Sequence, residues 1–570
     1  MTAIFGWPHD EGIGIPTIFS MTETKKKLGC FGGFAAVVAA VLVAGGAAAY
    51  WVLRGGLGRQ FSPLGSAEVI PDEAVAIAYI STADRMWGKL KQFGTPEAQA
   101  VVRDEIDRWQ EEFVGGTQLD FNRDLKPWIG NVAIAIVPDE IPGISSSELL
   151  AVVEIQDKLQ ALGFANRVKG LEGSKLEEID YNGTKISKLV QADGTSYSIA
   201  VLGDYLAVAD NLALVESSID TFRSTSSFAE LPGMTARLRQ GVGLDEPLAR
   251  VYVANLATLQ QSSIEDGRLP TEGALPSVTS LVAGVGVTDI GLHGRVVSDF
   301  DEAVSQLQFA PPSGKLVKRF PDDTLMLVEG RDLARSWQQL LEATAATEEG
   351  RAFVAELRQG FARIGLDVDR DVFGVLDGEF AFGLIPSEKG ILATLGFGGA
   401  LLLETSDRKT TEATLEKLGS IVKRNVPFPL SIDSRSANGI EVTQWKLPFF
   451  SLKPETVLGY GWIANNTLAI AFGDPIVDVM VAPPELPLDR HETFVRIQQQ
   501  LPQANAGYVY ANVEQVMELI NPLPLQAGEV VTPESLALLN SMGGIGIATS
   551  SPDVSTVVLD VTISSNVENR

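Results

Sequence analysis

At 570 residues, with 45% apolar and 21% charged residues, the chain is a folded globular body too long for one ordinary core. The net charge is −27; the first 60 residues carry +2, so the remainder carries −29, which phosphate backbones repel, and no basic aromatic patch invites nucleic acid. One cysteine, Cys30, precedes everything that reads as folded, which excludes disulfides, thiolate-zinc sites and a cysteine nucleophile in the body.

Residues 1–30 read as a cytoplasmic tail. Met21 opens a charged flank, and the twenty residues before it, with no periodicity, read as a disordered tail or a product of start-codon choice. Residues 31–53, "FGGFAAVVAAVLVAGGAAAYWVL", contain no charge. A helix of that length spans about 34 Å at about 1.5 Å per residue, enough for a bilayer core. Lys25–Lys27 before it and Tyr50 and Trp51 at its far end predict a single transmembrane helix with the N-terminus cytoplasmic and the body exported. A cleaved signal peptide ending at "AAA" (47–49) is the alternative. Residues 54–66 then form a Gly-rich linker.

The body divides into residues 67–312 and 313–570, read as two tandem homologous units. "PDEAVAIAYISTADRMWGKL" (71–90) is answered by "PDDTLMLVEGRDLARSWQQL" (321–340), so that Arg85, Trp87 and Leu90 match Arg335, Trp337 and Leu340 at an offset of 250. "LDFNRDL" (119–125) is answered by "LDVDRDV" at 247, "VYVAN" (251–255) by "YVYAN" at 257 and "AGVGV" (283–287) by "GGIGI" at 260. Within the first unit the pattern predicts a strand over Val75–Ile80 and a helix over 96–114 led by Pro96. Strands over Val132–Val137 and Leu149–Ile155 follow, then a helix and hairpins turning at Asn182-Gly183, Asp193-Gly194 and Gly203-Asp204. A further helix and the closing strands complete the unit. The fold class expected is α+β: an N-terminal transmembrane helix, then two units with mainly antiparallel sheets.

With the single N-terminal apolar segment, the acidic cysteine-poor body and "LDFNRDLKPWIGNVAIAIVP" (119–138), the chain resembles an uncharacterised cyanobacterial membrane-anchored family, domain of unknown function 3352. The resemblance implies a plasma- or thylakoid-membrane setting and supplies no catalytic residues.

Local chemistry argues mostly for scaffolding. Asp367, Asp369 and Asp371 alternate as calcium ligands do, but the sixth and twelfth residues of such a loop would be Val372 and Gly378, and Leu125 and Asn131 in the echo. The expected structure is instead a turn with an aspartate capping a short helical stretch. His9, His293 and His491 have no evident partner in sequence, so neither a triad nor a zinc site is expected. "GFGG" (396–399) and "GVG" (284–286) read as sheet glycines rather than phosphate loops. Trp445, Phe449 and Phe450 beside Pro448 form an apolar cluster expected in a loop, either a partner contact or packing between the units. No cofactor, metal or catalytic residue is assigned. The function expected is a non-enzymatic, membrane-anchored extracytoplasmic binding or scaffold protein, in the periplasm or thylakoid lumen. Its partner is expected to be another membrane or envelope protein or lipid, with no nucleic acid. An extracytoplasmic hydrolase using carboxylates, and a lipid- or pigment-carrying protein, stand as alternatives.

Overall fold

A computed structural model describes residues 62–114, 120–138, 148–168, 175–190, 196–223, 226–254, 256, 278–300, 311–345, 348–389, 392, 396–425, 429–448, 454–520, 532–553 and 555–566. Among them no helix is long and apolar enough to cross a membrane; the segment 31–53 lies outside the described residues. The architecture mixes helices with a large antiparallel sheet.

The strands in chain order are β1 (Ala76–Ile80), β2 (Ile129–Val137), β3 (Glu148–Ile155), β4 (Lys175–Tyr181), β5 (Thr184–Val190), β6 (Ser196–Leu202), β7 (Tyr205–Ala209), β8 (Ala249–Val253), β9 (Val278–Val287) and β10 (Gly291–Phe300). They continue as β11 (Met326–Arg331), β12 (Glu379–Pro386), β13 (Phe397–Glu404), β14 (Ser431–Ala437), β15 (Ile440–Leu447), β16 (Glu455–Trp462), β17 (Thr467–Phe472), β18 (Gly507–Ala511), β19 (Met542–Ser550) and β20 (Thr556–Ser565). The helix led by Pro96 runs Pro96–Val114, as the proline at its first position favours.

The chain forms two compact units, one of residues 104–130 and 151–220, the other of 61–103, 131–150 and 221–570. This division runs inside 67–312 rather than at 312/313. In the smaller unit the strand order is β3-β7-β6-β5-β4, all antiparallel. In the larger it is β2-β1-β8-β9-β10-β20-β19-β18-β11-β12-β13-β17-β16-β15-β14, again antiparallel throughout. Strands from before and after residue 312 therefore share one sheet, joined where β10 pairs with β20.

The order of pairings in the first half recurs in the second. β3-β7-β6-β5-β4 has its counterpart in β13-β17-β16-β15-β14, and β2-β1-β8-β9-β10 in β12-β11-β18-β19-β20. Both outer hairpins turn on Asn-Gly: Asn182 and Gly183 have φ of 52° and 71°, Asn438 and Gly439 of 50° and 77°. Two successive left-handed residues make the turn that matches strand twist, and Asn-Gly is the pair that adopts it at least cost. The Asp193-Gly194 turn lies outside the described residues.

Register corrects two of the matched phrases. Ile77 faces Tyr252 and Leu327 faces Tyr510, so the equivalent tyrosines are 258 apart, one more than the letter match gives. Both are fully buried. A one-residue slip would have turned one of them to the other face of the sheet. Tyr252 in turn faces Val282 and Tyr510 faces Gly546, which sets the next strands at an offset of 264 rather than 260. That four-residue difference keeps the face and slides the glycines along it.

The two Asp-rich phrases fold into the same single-turn π-helix, Phe121–Leu125 and Val368–Val372. Asp120 Oδ1 accepts from the Arg123 amide at 2.7 Å, and Asp367 Oδ1 from the Arg370 amide at 3.0 Å. The reciprocal bond closes each turn: the Asp120 amide donates to Asp124 Oδ2 at 2.9 Å and the Asp367 amide to Asp371 Oδ2 at 3.1 Å. Arg123 Nε reaches Asp124 and Arg370 Nε reaches Asp371, at 3.1 and 2.8 Å. These carboxylates hold a turn together, as the sequence reading expects, and Leu125 is fully buried beneath the first. Val372 is only half-buried; in the second turn Val368 takes the core position. Removing either cap, Asp120→Ala or Asp367→Ala, is expected to cost about 1 kcal/mol in denaturant unfolding. A cost in only one of the two would contradict their structural equivalence.

Trp87 and Trp337 occupy the same place in the chain path, each on the helix after β1 or β11, Asp84–Leu90 and Leu333–Thr344. Their partners differ. Trp87 donates to the Ser81 carbonyl at 2.6 Å. Trp337 donates to Asp369 Oδ1 at 2.8 Å and stacks on Phe373 at 4.4 Å. Hydrogen bonds from Arg358 and Trp337 outweigh burial and hold Asp369 below the usual carboxylate range; the Arg370 bond does the same for Asp371.

Candidate functional site

Of the three residues singled out as a partner contact or as packing between the units, the structure places one, Trp445. Trp445 sits on β15, opposite Ile432, and is buried; the strand runs on to Leu447, so Trp445 is not in a loop. Leu189 holds the equivalent position on β5, opposite Leu176, and is buried too. Strand alternation, not the neighbouring Pro448, decides where this indole points. Phe449 and Phe450 lie outside the described residues. The glycines of "GVG" fall on β9, and those of "GFGG" at the start of β13 and in the turn before it.

A polar cluster appears instead where β10 meets β20. Successive registers carry equivalence from Val282 and Gly546 to Val297 and Thr562, and hence to Arg295 and Asp560. These two equivalent residues face each other directly across the seam. A pseudo-twofold axis therefore passes between them. Identical charges at such a point would repel in a poorly solvated site, whereas Arg and Asp complement one another.

Arg295 Nε donates to Asp560 Oδ1 at 2.7 Å and Arg295 Nη1 to the Gly243 carbonyl at 3.1 Å. His293 Nε2 lies 2.7 Å from the same Asp560 Oδ1. The histidine thus has a carboxylate partner after all, 267 residues on in the chain, which no local pattern could show. Asp560 is 1% exposed and its Oδ2 has no partner among the described residues.

Four residues further along β10 from Arg295, on the same face, Asp299 is a second hub. It accepts from Arg237 through Nε at 2.7 Å and also through Nη2, from Ser280 Oγ at 2.5 Å and from Thr556 Oγ1 at 3.2 Å. Burial alone would raise its pKa; the bonds from Arg237, Ser280 and Thr556 outweigh that and hold it below the usual range.

Arg295 and Asp560 of the first hub, and the Asp299 partners Arg237 and Thr556, line one cleft of about 630 Å³. Its floor is Arg295, Val297, Thr556, Val558 and Asp560. One wall is Arg237 and Gln240–Gly243, at the end of the helix Met234–Gln240; the other carries Pro502 and Ala504, after the helix Glu492–Gln500. The loop Ser550–Asp553 closes one end. Both arginines are paired with buried or half-buried carboxylates, and His293 is buried and not part of the lining.

The halves differ sharply at another position. Tyr79 and Arg250 face each other on β1 and β8, the guanidinium lying 5.6 Å from the ring centre. Their equivalents on β11 and β18 are Glu329 and Tyr508, whose hydroxyl donates to Glu329 Oε2 at 2.5 Å. Glu329 is 1% exposed, and burial, with a lesser push from Glu379, raises its carboxyl to about 7 against the bonds from Tyr508 and the Val317 amide.

Among solved structures, crystal forms IV and III of TP0453 share 9% identity with the chain, covering 41% and 44% of it and 79% and 85% of their own length, at TM-scores of 0.25 and 0.24. No curated protein matches the sequence. The profile of one family, Protein of unknown function (DUF3352), matches residues 35–564, nearly the whole chain and both of its halves, and to that family this protein belongs.

Proposed function

We propose that the protein is a non-enzymatic binding or scaffold protein, in which residues 67–312 and 313–570 are two copies of one α+β unit. A helix over 31–53 tethers it to a plasma or thylakoid membrane of cyanobacterial type, with the body outside the cytoplasm and its partner an envelope or membrane component. The seam carries the reading: equivalent strands join there across a pseudo-twofold axis, and the polar groups on that axis are locked to one another while a cleft stays open above them. Duplication gives such a cleft two sides of common ancestry that are free to diverge, as Arg295 and Asp560 have on its floor. The charge-free run and its lysine flank support the tether.

Two measurements test this. Protease added outside vesicles of known sidedness should digest the body and spare Lys25–Lys27. A photo-crosslinker at Gln240 on the cleft wall should capture one discrete species in vivo that the same group at Arg223 does not. A protease-resistant body would overturn the topology. Turnover of a small substrate by the purified protein, with no specific crosslink, would overturn the non-enzymatic reading.

A further inference from the structure

Resting on that assignment of the cleft as the binding site, we infer that it takes an elongated organic dianion, with acidic groups at both ends and an apolar middle. The inference follows from the order of groups along the floor. Arg295, Val297 and Asp299 point to the same face of β10, since alternate residues do. Opposite them on β20 stand Asp560, Val558 and Thr556. A guanidinium is fixed at each end: Arg295 on Asp560, and Arg237 on Asp299. Between them the floor is two valines. The two anchoring positions, 295 and 299, are about 13 Å apart at about 3.3 Å per residue.

Each guanidinium has donors to spare. Arg237 commits Nε and Nη2 to Asp299, and Arg295 commits Nε to Asp560 and Nη1 to Gly243. Arg237 Nη1 and Arg295 Nη2 have no protein partner among the described residues, and both arginines line the cleft. The aspartates behind them cancel net charge but also hold each planar fork still, so that its free edge meets an oxyanion without further ordering. Asp553 on the rim spends Oδ1 on the Ser555 amide and hydroxyl, at 2.9 and 3.1 Å; it and Asp560, whose Oδ2 has no partner among the described residues, are the acids of the lining. Binding is therefore expected to weaken at high salt less than a bare arginine pair would predict, and to depend on chain length more than on charge alone.

The test is titration calorimetry on the full chain in nanodiscs with α,ω-dicarboxylates from succinate to sebacate. Affinity should peak at suberate or sebacate, whose carboxylates span roughly 9–11 Å at about 1.25 Å per methylene, and fall about tenfold for the matching monoacid. 1,8-Diaminooctane should not bind. Arg237→Lys and Arg295→Lys keep the ion pairs and lose the fork; each should weaken suberate about tenfold with unchanged unfolding. Ala504→Trp should block the cleft. Equal affinity for diamine and diacid, no dependence on chain length, no effect of either lysine variant, or no saturable binding up to about 10 mM would each overturn the proposal. Crosslinking in vivo reads the tether and partner separately, so the two can fail independently.

Discussion

Glu329→Gln is expected to make the protein more stable than wild type at pH 8 and leave it nearly equal at pH 4.5. The folded protein holds this carboxyl at about 7, against an ordinary value of 4.5, because it is buried between β11 and β18 with Tyr508 as its one strong donor and Glu379 nearby. The Tyr508 hydroxyl, itself raised by burial and by the charges of Glu329 and Asp489, stays protonated and donating. With a folded pKa above the unfolded one, the native state keeps a proton that the unfolded chain has already lost. Stability is then fully present below about pH 4.5 and declines as the pH rises through about 7. The full shift corresponds to about 3 kcal/mol, an upper figure for so buried a site. Glutamine still accepts from Tyr508 and cannot ionise, so the variant should lose this slope. Denaturant unfolding from pH 4.5 to 8.5, with hydrogen exchange at residues 327–330 and 508–510, reads it directly. A wild-type profile that is flat across that range, or that rises, would refute the buried ionisable assignment. The first half, with Tyr79 and Arg250 at the equivalent places, should show no such dependence in its own amides.

Gly291→Ala should be among the most damaging single changes in the chain. Gly291 opens β10 with φ of +151°, and a Cβ built there falls 1.9 Å from the Ile563 carbonyl oxygen on β20. The obstacle is backbone, so no side chain can rotate away; the strands must part at the seam. The expected loss is about 3 kcal/mol or more. Gly294→Ala is the control: it lies on the same strand, where the nearest atoms to a Cβ are the Gly284 and Val561 carbonyl oxygens at 3.9 Å. That variant should stay within about 1 kcal/mol of wild type. If both are tolerated equally, the β10–β20 register is not the one described. If Gly291→Ala unfolds the protein, the seam is essential to its stability, and the cleft above it goes with it.

Much of the local structure could be read from the residues. Alternating apolar positions gave strands, Pro96 gave a helix start, Asn182-Gly183 gave a hairpin, and the paired Asp-rich phrases gave a capped turn made twice. Each of these is set by interactions within a few residues, such as steric limits on φ, an aspartate reaching a nearby amide, or side chains alternating about an extended backbone. Trp445 shows where that reading stopped. Its neighbours Pro448, Phe449 and Phe450 suggested a loop, but the strand continues through it and alternation turns it inward against the helix Arg408–Asn425, where Gly419 lies alongside.

By itself, then, the sequence determined the element types, their antiparallel character and the recurrence of the same phrases in the same order, because these follow from short-range stereochemistry and periodicity. Tertiary structure alone decided that Tyr252 answers Tyr510, that β10 lies against β20, and that His293, Arg295 and Asp560 meet. Those facts depend on which strand edges close together across more than 250 residues. Such a choice is made by the collective burial of whole faces, and no short stretch of sequence encodes it.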